Sequence, residues 1–325
     1  MASTGAWTVP IVCVTGAGGY VASWVVKLLL SKGFIVHGTV RDPCDEKNSH
    51  MKKLEKASEN LKLFKADLLE LESLCAAIDG CTGVFHVASP VPSAKVANPE
   101  VELLEPAVTG TRNVLKACEK AKVKKVVVVS SVAAVNRNPN WPMDRPKDEE
   151  CWSDPEFCRT NQDFYSLAKT LAESEALEHA KKSDLNIVTI CPSMVIGPML
   201  QSTLNASSLL LLKYLKDANG SVENKERPII DVHDLADAIF LIYDKPEAEG
   251  RYICSSYTIL VQKLIEKLKN IYPNYNYPKS YTEVEEAFKL SSKKLESLGW
   301  KYRSLEETLM DAVKDFEENG LLDKH

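Results

Sequence analysis

No segment of the chain approaches the ~18 consecutive apolar residues of a membrane span, and the N-terminus lacks the basic-then-apolar pattern of a signal peptide. Both absences predict a cytoplasmic protein. Nor is there a Cys-x-x-Cys pair or a His/Cys cluster at zinc spacing. The nine cysteines (Cys13, Cys44, Cys75, Cys81, Cys118, Cys151, Cys158, Cys191, Cys254) are odd in number and scattered. That distribution predicts reduced thiols and no metal. Cys151 and Cys158 could pair if their loop folds back, but they are read as separate thiols. Charge of one sign is missing too. Acids and bases are interspersed around a formal net charge of −5, leaving no broad basic surface for nucleic acid and no polybasic tail for a membrane. Small molecules are the expected partners. Internal repeats and low-complexity tracts are absent, and 325 residues suffice for one large domain or two modest ones.

What the chain does have is Val12-Cys13-Val14-Thr15-Gly16-Ala17-Gly18-Gly19-Tyr20-Val21-Ala22. An apolar run breaks into glycines and resumes with helical spacing at Val21, Trp24, Val25, Leu28 and Leu29, which predicts a strand, a tight turn and a helix. Glycine opens backbone angles closed to other residues and lets a helix N-terminus approach a pyrophosphate. Gly16, Gly18, Gly19, Tyr20 and Val21 are therefore candidate dinucleotide contacts. The spacing is Gly-x-x-Gly-x-x-Ala rather than Gly-x-Gly-x-x-Gly.

A second strand, 34–40, ends on Arg41. An acid at such a position would bond a ribose 2′-hydroxyl, whereas arginine suits the 2′-phosphate of NADP. Arg41 thus predicts NADP(H), with Lys47 as a second positive charge, although Asp42 keeps an acid in reach. A strand over 62–66 leads to Asp67-Leu68 and a helix over 71–78. The next strand, 83–88, is followed by a loop at Ser89-Pro90; His86 within it reads as a packed strand histidine. A long helix carries Val108, Val114, Leu115 and Cys118 on its apolar side, and 125–131 reads as a fully buried strand. Such alternation predicts an α/β fold with a doubly wound parallel sheet, whose ligand sits at the strand C-terminal ends. Thr15, Arg41, Asp67, Val87-Ala88 and Ser130-Ser131 all fall there, with Ser89 beside them.

Residues 136–160, rich in Pro, Asp and Trp, read as a long surface loop, and helical periodicity returns over 162–179. A sixth strand, 187–192, runs into 194–198. Beyond it the regularity fades into helices at 209–215, 261–270, 293–297 and 305–318, while 231–243 reads as a helix returning to the main body. The expected division is a nucleotide-binding unit over 1–195, with 226–248 returning to it, and a smaller lobe, mainly 196–325, that covers the crevice.

Tyr165 and Lys169 stand at i and i+4 on the 162–179 helix, hence on one face. A neighbouring ammonium favours phenolate, so Lys169 is expected to lower the Tyr165 pKa. Tyr165 can then donate a proton to a carbonyl oxygen while hydride reaches the carbon, and Lys169 can also hold the ribose hydroxyls. A serine at the end of 125–131 can steady the developing oxyanion. Ser131 is chosen over Ser130 as the residue freest to face the crevice.

Taken together, Thr15-Gly-x-x-Gly-x-x-Ala22, Ser131 and Tyr165-x-x-x-Lys169 resemble the extended short-chain dehydrogenase/reductases of the Rossmann type. Val40-Arg41-Asp42-Pro43, Lys65-Ala66-Asp67-Leu68, Val84-Phe85-His86-Val87-Ala88-Ser89-Pro90 and Gly250-Arg251-Tyr252 are similar to the plant branch holding cinnamoyl-CoA reductases, cinnamyl-alcohol-dehydrogenase-like reductases and dihydroflavonol reductases. The resemblance spans about residues 9–322. It implies that Arg41 and Lys47 meet the 2′-phosphate, that Asp67-Leu68 lies by the adenine, and that Pro192 to Val195 lines the nicotinamide. It also implies a His, Lys and Arg set for a CoA thioester; Lys213 and Arg251 match two of these, but Leu210 stands where the histidine would. Asp163-Phe164-Tyr165-Ser166-Leu167-Ala168-Lys169 shares only its tyrosine and lysine with the corresponding stretch of the cinnamoyl-CoA reductases. Asn136 matches a flavonoid-contacting asparagine. On these grounds the expected activity is NADPH-dependent reduction of a hydroxycinnamaldehyde-type aldehyde to the alcohol, with Leu204, Leu209, Leu210 and Tyr214 as an apolar cover. The alternatives are reduction of a cinnamoyl-CoA thioester, reduction of a dihydroflavonol-type ketone, and a non-catalytic NADP-binding regulator. Arg41 and the covering-lobe motifs speak against a nucleotide-sugar epimerase. A monomer or weak dimer is expected.

Overall fold

A computed structural model describes residues 9–90, 97–218, 220–284 and 289–324. Twelve strands follow the chain order: β1 (Ile11–Thr15), β2 (Ile35–Val40), β3 (Leu61–Lys65), β4 (Gly83–His86), β5 (Lys125–Val129), β6 (Asn186–Pro192), β7 (Met194–Ile196), β8 (Ser221–Asn224), β9 (Glu226–Asp231), β10 (Gly250–Cys254), β11 (Tyr257–Leu260) and β12 (Ser280–Glu283). Seven of them form one parallel sheet in the order β10-β6-β5-β4-β1-β2-β3. The order reverses between β1 and β4, and that is where a doubly wound sheet opens its crevice.

Both faces of this sheet are buried, and the strands show it with a period of two. Val12, Val14, Phe85, Val127, Val129, Val188 and Ile190 face a core shared with helices Tyr20–Ser31 and Val232–Asp244. Their neighbours Cys13, Val84, Val126, Val128 and Ile187 face the opposite core, shared with helices Leu71–Ile78 and Glu105–Lys120. Apolar runs such as the all-buried β5 are therefore required by two-sided packing. The sheet takes its seventh strand, β10, from 250–254, which apolar periodicity did not mark.

A second core belongs to the later chain. Val261, Leu264, Ile265 and Leu268 recur at i, i+3, i+4 and i+7 on helix Val261–Ile271 and meet Leu309, Val313 and Phe316 of helix Leu305–Glu318. Tyr214, expected in the apolar cover, is instead fully inside this core, while Leu209 is exposed. Two small sheets frame the lobe, β11-β9-β7 and β12-β8.

The stretch expected as a surface loop, 136–160, is partly an interior element. Helices Ala133–Asn136 and Pro155–Thr160 bracket it, and Cys151, Ser153 and Cys158 are buried. Its closure is polar: the Ser153 amide donates to the Ala134 carbonyl at 2.9 Å, and the Asp154 amide to that of Arg137 at 2.8 Å. Cys151 and Cys158 are both free thiols.

Candidate active site

The glycine turn joins β1 to helix Tyr20–Ser31. Gly16 sits at φ +65°, and a Cβ there would meet Ala88 at 3.0 Å; one on Gly18 would collide with Asn48. The turn is held from both sides. The Gly16 amide donates to Thr39 Oγ1 at 3.1 Å, and Thr15 Oγ1 accepts from the amides of Val87 and Ala88 at 3.1 and 3.0 Å. Thr15 therefore locks the Val87-Ala88-Ser89 loop onto the turn, a role that its place at a strand end only hinted at. Since both amides donate to Thr15, its own proton goes to His86 Nδ1 at 2.9 Å; His86 Nε2 then donates to Thr111 Oγ1 at 3.2 Å, and Thr111 donates onward to the Ala107 carbonyl. His86 is a neutral, packed histidine. Burial, with the nearby Lys169 charge, lowers its pKa to about 3.

Helix Tyr20–Ser31 begins at Gly19, so the amides of Tyr20 and Val21 have no intrahelical acceptor and face the turn. The Tyr20 side chain is committed elsewhere. Its hydroxyl donates to the Gly197 carbonyl at 2.9 Å and Trp24 Nε1 to that of Pro198 at 2.9 Å, pinning the start of the second lobe to this helix.

Arg41 is exposed immediately beyond β2. Lys47 lies nearby but pairs with Asp45 at 2.6 Å, and its hydrogen bonds, followed by the Lys47 and Arg41 charges, hold the Asp45 carboxyl below its usual range. Asp42, the acid in reach, turns its carboxylate to the Cys44 amide at 2.9 Å. Asp67 caps its own turn through the Leu69 amide at 2.9 Å, and the Leu68 carbonyl accepts from Asn113 Nδ2 at 2.9 Å. Pro192 ends β6, and its carbonyl accepts the Val132 amide at 3.0 Å; Val195 lies buried on β7. Between them the Ser193 hydroxyl is buried with no hydrogen-bond partner among the described residues.

Helix Phe164–Lys182 carries Tyr165 and Lys169. Asp163 caps it, accepting from the Ser166 amide at 3.1 Å and from Arg137 Nε at 2.7 Å. Burial raises the Asp163 pKa, but Arg137 and Ser166 outweigh it and the net shift is downward. The Tyr165 phenol lies beside Ser131, which counters part of the rise in its pKa, and Ser131 Oγ accepts the Ala133 amide at 3.1 Å. Ser130, by contrast, is buried and donates to Glu173 at 2.8 Å. β5 stops at Val129, so both serines lie just past the strand.

Lys169 is buried one turn on, and Nζ donates to the Val129 carbonyl at 3.5 Å. Burial draws its ammonium down to about 8, against the pull of Glu173. For Tyr165 the expected direction is reversed. Burial pushes the phenol up, Ser131 offsets part of this, and Asp163 adds to it. A phenol held protonated is the form that donates.

Asn136 ends helix Ala133–Asn136, five residues past Ser131, with Oδ1 buried and without a partner among the described residues. Leu210 is half-buried on helix Ala206–Lys216, packed against the second core with Leu204 and Met194. Arg251 and Lys213 do not converge on a thioester pocket. Lys213 is exposed, and the Arg251 guanidinium is buried against Glu173 at 2.8 Å and stacked on Trp152 at 3.5 Å. Glu173 escaped the sequence reading, although it falls on the Tyr165–Lys169 stripe at the next i+4 step.

A glycine turn packed too closely for side chains at Gly16 and Gly18, amides without intrahelical acceptors at a helix start, an arginine at the β2 end and a buried Ser193 hydroxyl fit a dinucleotide with a 2′-phosphate. Among the described residues no group of three or more potential ligands could hold a metal, and no helix is long and apolar enough to cross a membrane.

Known proteins share this sequence pattern and fold. The sequence pattern of the NAD dependent epimerase/dehydratase family matches residues 12–254. Cinnamoyl-CoA reductase 1 of Petunia hybrida is 44% identical over 316 residues, covering 96% of this chain and 93% of that protein. Vestitone reductase from alfalfa superposes with a TM-score of 0.83 at 31% identity, covering 96% of this chain and 99% of its own. The yeast methylglyoxal/isovaleraldehyde reductase Gre2, solved with NADPH, superposes with a TM-score of 0.81 at 26% identity, over 96% of this chain and 100% of its own. The chain is thus an NADP(H)-dependent oxidoreductase that belongs to the NAD dependent epimerase/dehydratase family, in the plant branch of extended short-chain dehydrogenase/reductases that holds the cinnamoyl-CoA reductases.

Proposed function

We propose that this enzyme reduces a phenylpropanoid carbonyl, with a hydroxycinnamoyl-CoA thioester as the leading substrate and the aldehyde plus free CoA as products. The observation that carries the chemistry is the Tyr165 phenol beside Ser131, with the buried Lys169 one turn on. NADPH, when bound, supplies the hydride. Tyr165 gives its proton to the carbonyl oxygen as hydride reaches the carbon, Ser131 hydrogen-bonds that oxygen as charge develops, and Lys169 keeps a positive charge beneath the phenol. The resulting hemithioacetal returns its hydroxyl proton to the Tyr165 phenolate as the carbonyl re-forms and the C–S bond breaks, and CoA leaves as a thiolate that takes a proton from water. Arg41 would hold the 2′-phosphate, with Lys47 at its margin. Gly16, Gly18, Gly19 and the Tyr20 and Val21 amides would hold the pyrophosphate. Asp67 and Leu68 would flank the adenine, and Val87, Ala88, Ser89, Pro192 and Val195 the remainder of the dinucleotide. Asn136 and Leu210 would border the substrate.

What favours the thioester is the likeness to cinnamoyl-CoA reductases along nearly the whole chain. A second reading, reduction of a hydroxycinnamaldehyde to its alcohol, is favoured by Leu210 in place of a histidine and by the burial of Arg251 against Glu173. Initial rates with the CoA thioester of ferulate, coniferaldehyde and a dihydroflavonol, each with NADPH, separate them. A kcat/KM for the thioester at least about ten-fold above the others is expected, a difference of about 1.4 kcal/mol. A preference for coniferaldehyde transfers the assignment to the second reading.

A further inference from the structure

Beneath the reacting hydroxyls lies a carboxylate that the reduction does not use. Glu173 stands one turn past Lys169 and two past Tyr165, with no exposed side-chain surface. Oε1 accepts from Thr189 Oγ1 at 2.6 Å and Arg251 Nε at 2.8 Å; Oε2 accepts from Ser130 Oγ at 2.8 Å and Arg251 Nη2 at 3.2 Å. The Cys191 thiol approaches both oxygens, at 3.3 and 3.4 Å. A carboxylate has about four lone-pair sites, so this one is saturated.

Lysine and glutamate at i and i+4 on a helix attract one another, and more strongly when buried. Lys169 nevertheless bonds the Val129 carbonyl and not Glu173. Arg251 explains the restraint. Its fork covers both carboxylate oxygens, Nη1 donates to the carbonyls of Glu149 and Cys151 at 3.0 and 2.9 Å, and Trp152 stacks on the guanidinium. A side chain held on all sides cannot swing away.

We propose that Arg251 is a positioning residue of the reduction: by occupying Glu173 it keeps that carboxylate from capturing Lys169, and so leaves the ammonium to act at Tyr165. The proposal rests on the acid-catalysis reading of Tyr165 and Lys169. Besides Tyr165 and Glu173 on its own helix, Lys169 is faced by His86 of β4 and Cys191 of β6, with Arg251 of β10 behind Glu173. Burial keeps the His86 imidazole and the Cys191 thiol uncharged near neutral pH. Glu173 is then the anion that competes for Lys169, and Arg251 is its counter-charge.

The two halves of such a pair should move the alkaline limb of the kcat–pH profile in opposite directions. With saturating NADPH, Arg251→Met frees Glu173. kcat should fall by about ten-fold or more, as for a displaced catalytic group, and the limb should rise by about one pH unit as Lys169 gains an anion. Glu173→Gln removes the anion, and the limb should drop by about one unit. The double variant lacks both charges and should return the limb to near the wild-type position while regaining rate over Arg251→Met. Shifts in the same direction, unmoved limbs, or a double variant slower than Arg251→Met would overturn the proposal. If Arg251→Met does not fold, the near-isosteric Glu173→Gln decides by whether its limb drops. Turnover retained by Tyr165→Phe would instead remove the acid-catalysis reading itself.

Discussion

At the proposed nucleotide end of the crevice a ligand would meet backbone: amides at a helix start, glycines pressed against Ala88 and Asn48, and strand ends whose positions follow from parallel pairing. At the proposed reaction end it would meet side chains whose places are set by other side chains. Tyr165 lies beside Ser131, Asp163 is clamped by Arg137, and Glu173 gathers Ser130, Thr189 and Arg251 from three separate strands or strand ends. The first kind of construction tolerates variation wherever glycine geometry survives. Around Glu173 the second fails when any one donor is lost, because Ser130, Thr189, Arg251 and the carboxylate itself are buried and cannot turn to water.

That contrast can be broken at either end. The largest effect on stability should come from Arg251→Ala, which strands a buried carboxylate at a cost of about 3–5 kcal/mol; denaturant unfolding measures it, and a loss near that of an exposed pair, under ~1 kcal/mol, would mean that the reaction end is not so interlocked. Gly16→Val comes next. A β-branched side chain at φ +65° with Ala88 at 3.0 Å is strained by about 1–3 kcal/mol, and calorimetric titration should show NADPH affinity down by up to about 10²-fold. Arg41→Asp removes a charge-assisted bond worth about 1.5–3 kcal/mol, so NADPH should weaken about ten-fold to 10²-fold while NADH changes little. Equal loss of both would refute the 2′-phosphate assignment. Smallest is the pH effect. The Lys169 ammonium is lost as pH rises through about 8, so the reduction rate should halve there and fall roughly ten-fold per further unit, with NADPH kept saturating.

The same contrast explains what could be read from the sequence. Glycines, β-branched runs and a terminal arginine are local signals, and they marked the turn, six strands of the main sheet and Arg41. Tyr165 and Lys169 were legible because a helix converts a four-residue spacing into one face. The bonds that complete the reaction end join residues far apart in the chain: Glu173 and Arg251 are 78 residues apart, Ser130 and Glu173 43. No period records such pairs. The 136–160 stretch looked like a loop for the same reason, since polar cross-links such as Ser153 to Ala134 replace an apolar pattern. The direction of the Tyr165 shift also depended on burial, which the spacing of tyrosine and lysine does not carry.

Whether the two ends are separable in function is tested most directly with Tyr165→Phe, measured both by NADPH titration and by turnover of the CoA thioester of ferulate. Loss of the proton donor should lower kcat by about 10²–10⁴-fold while the NADPH dissociation constant stays within about two-fold of wild type. Turnover retained at more than about a tenth of wild type, or NADPH binding lost in step with turnover, would contradict the account.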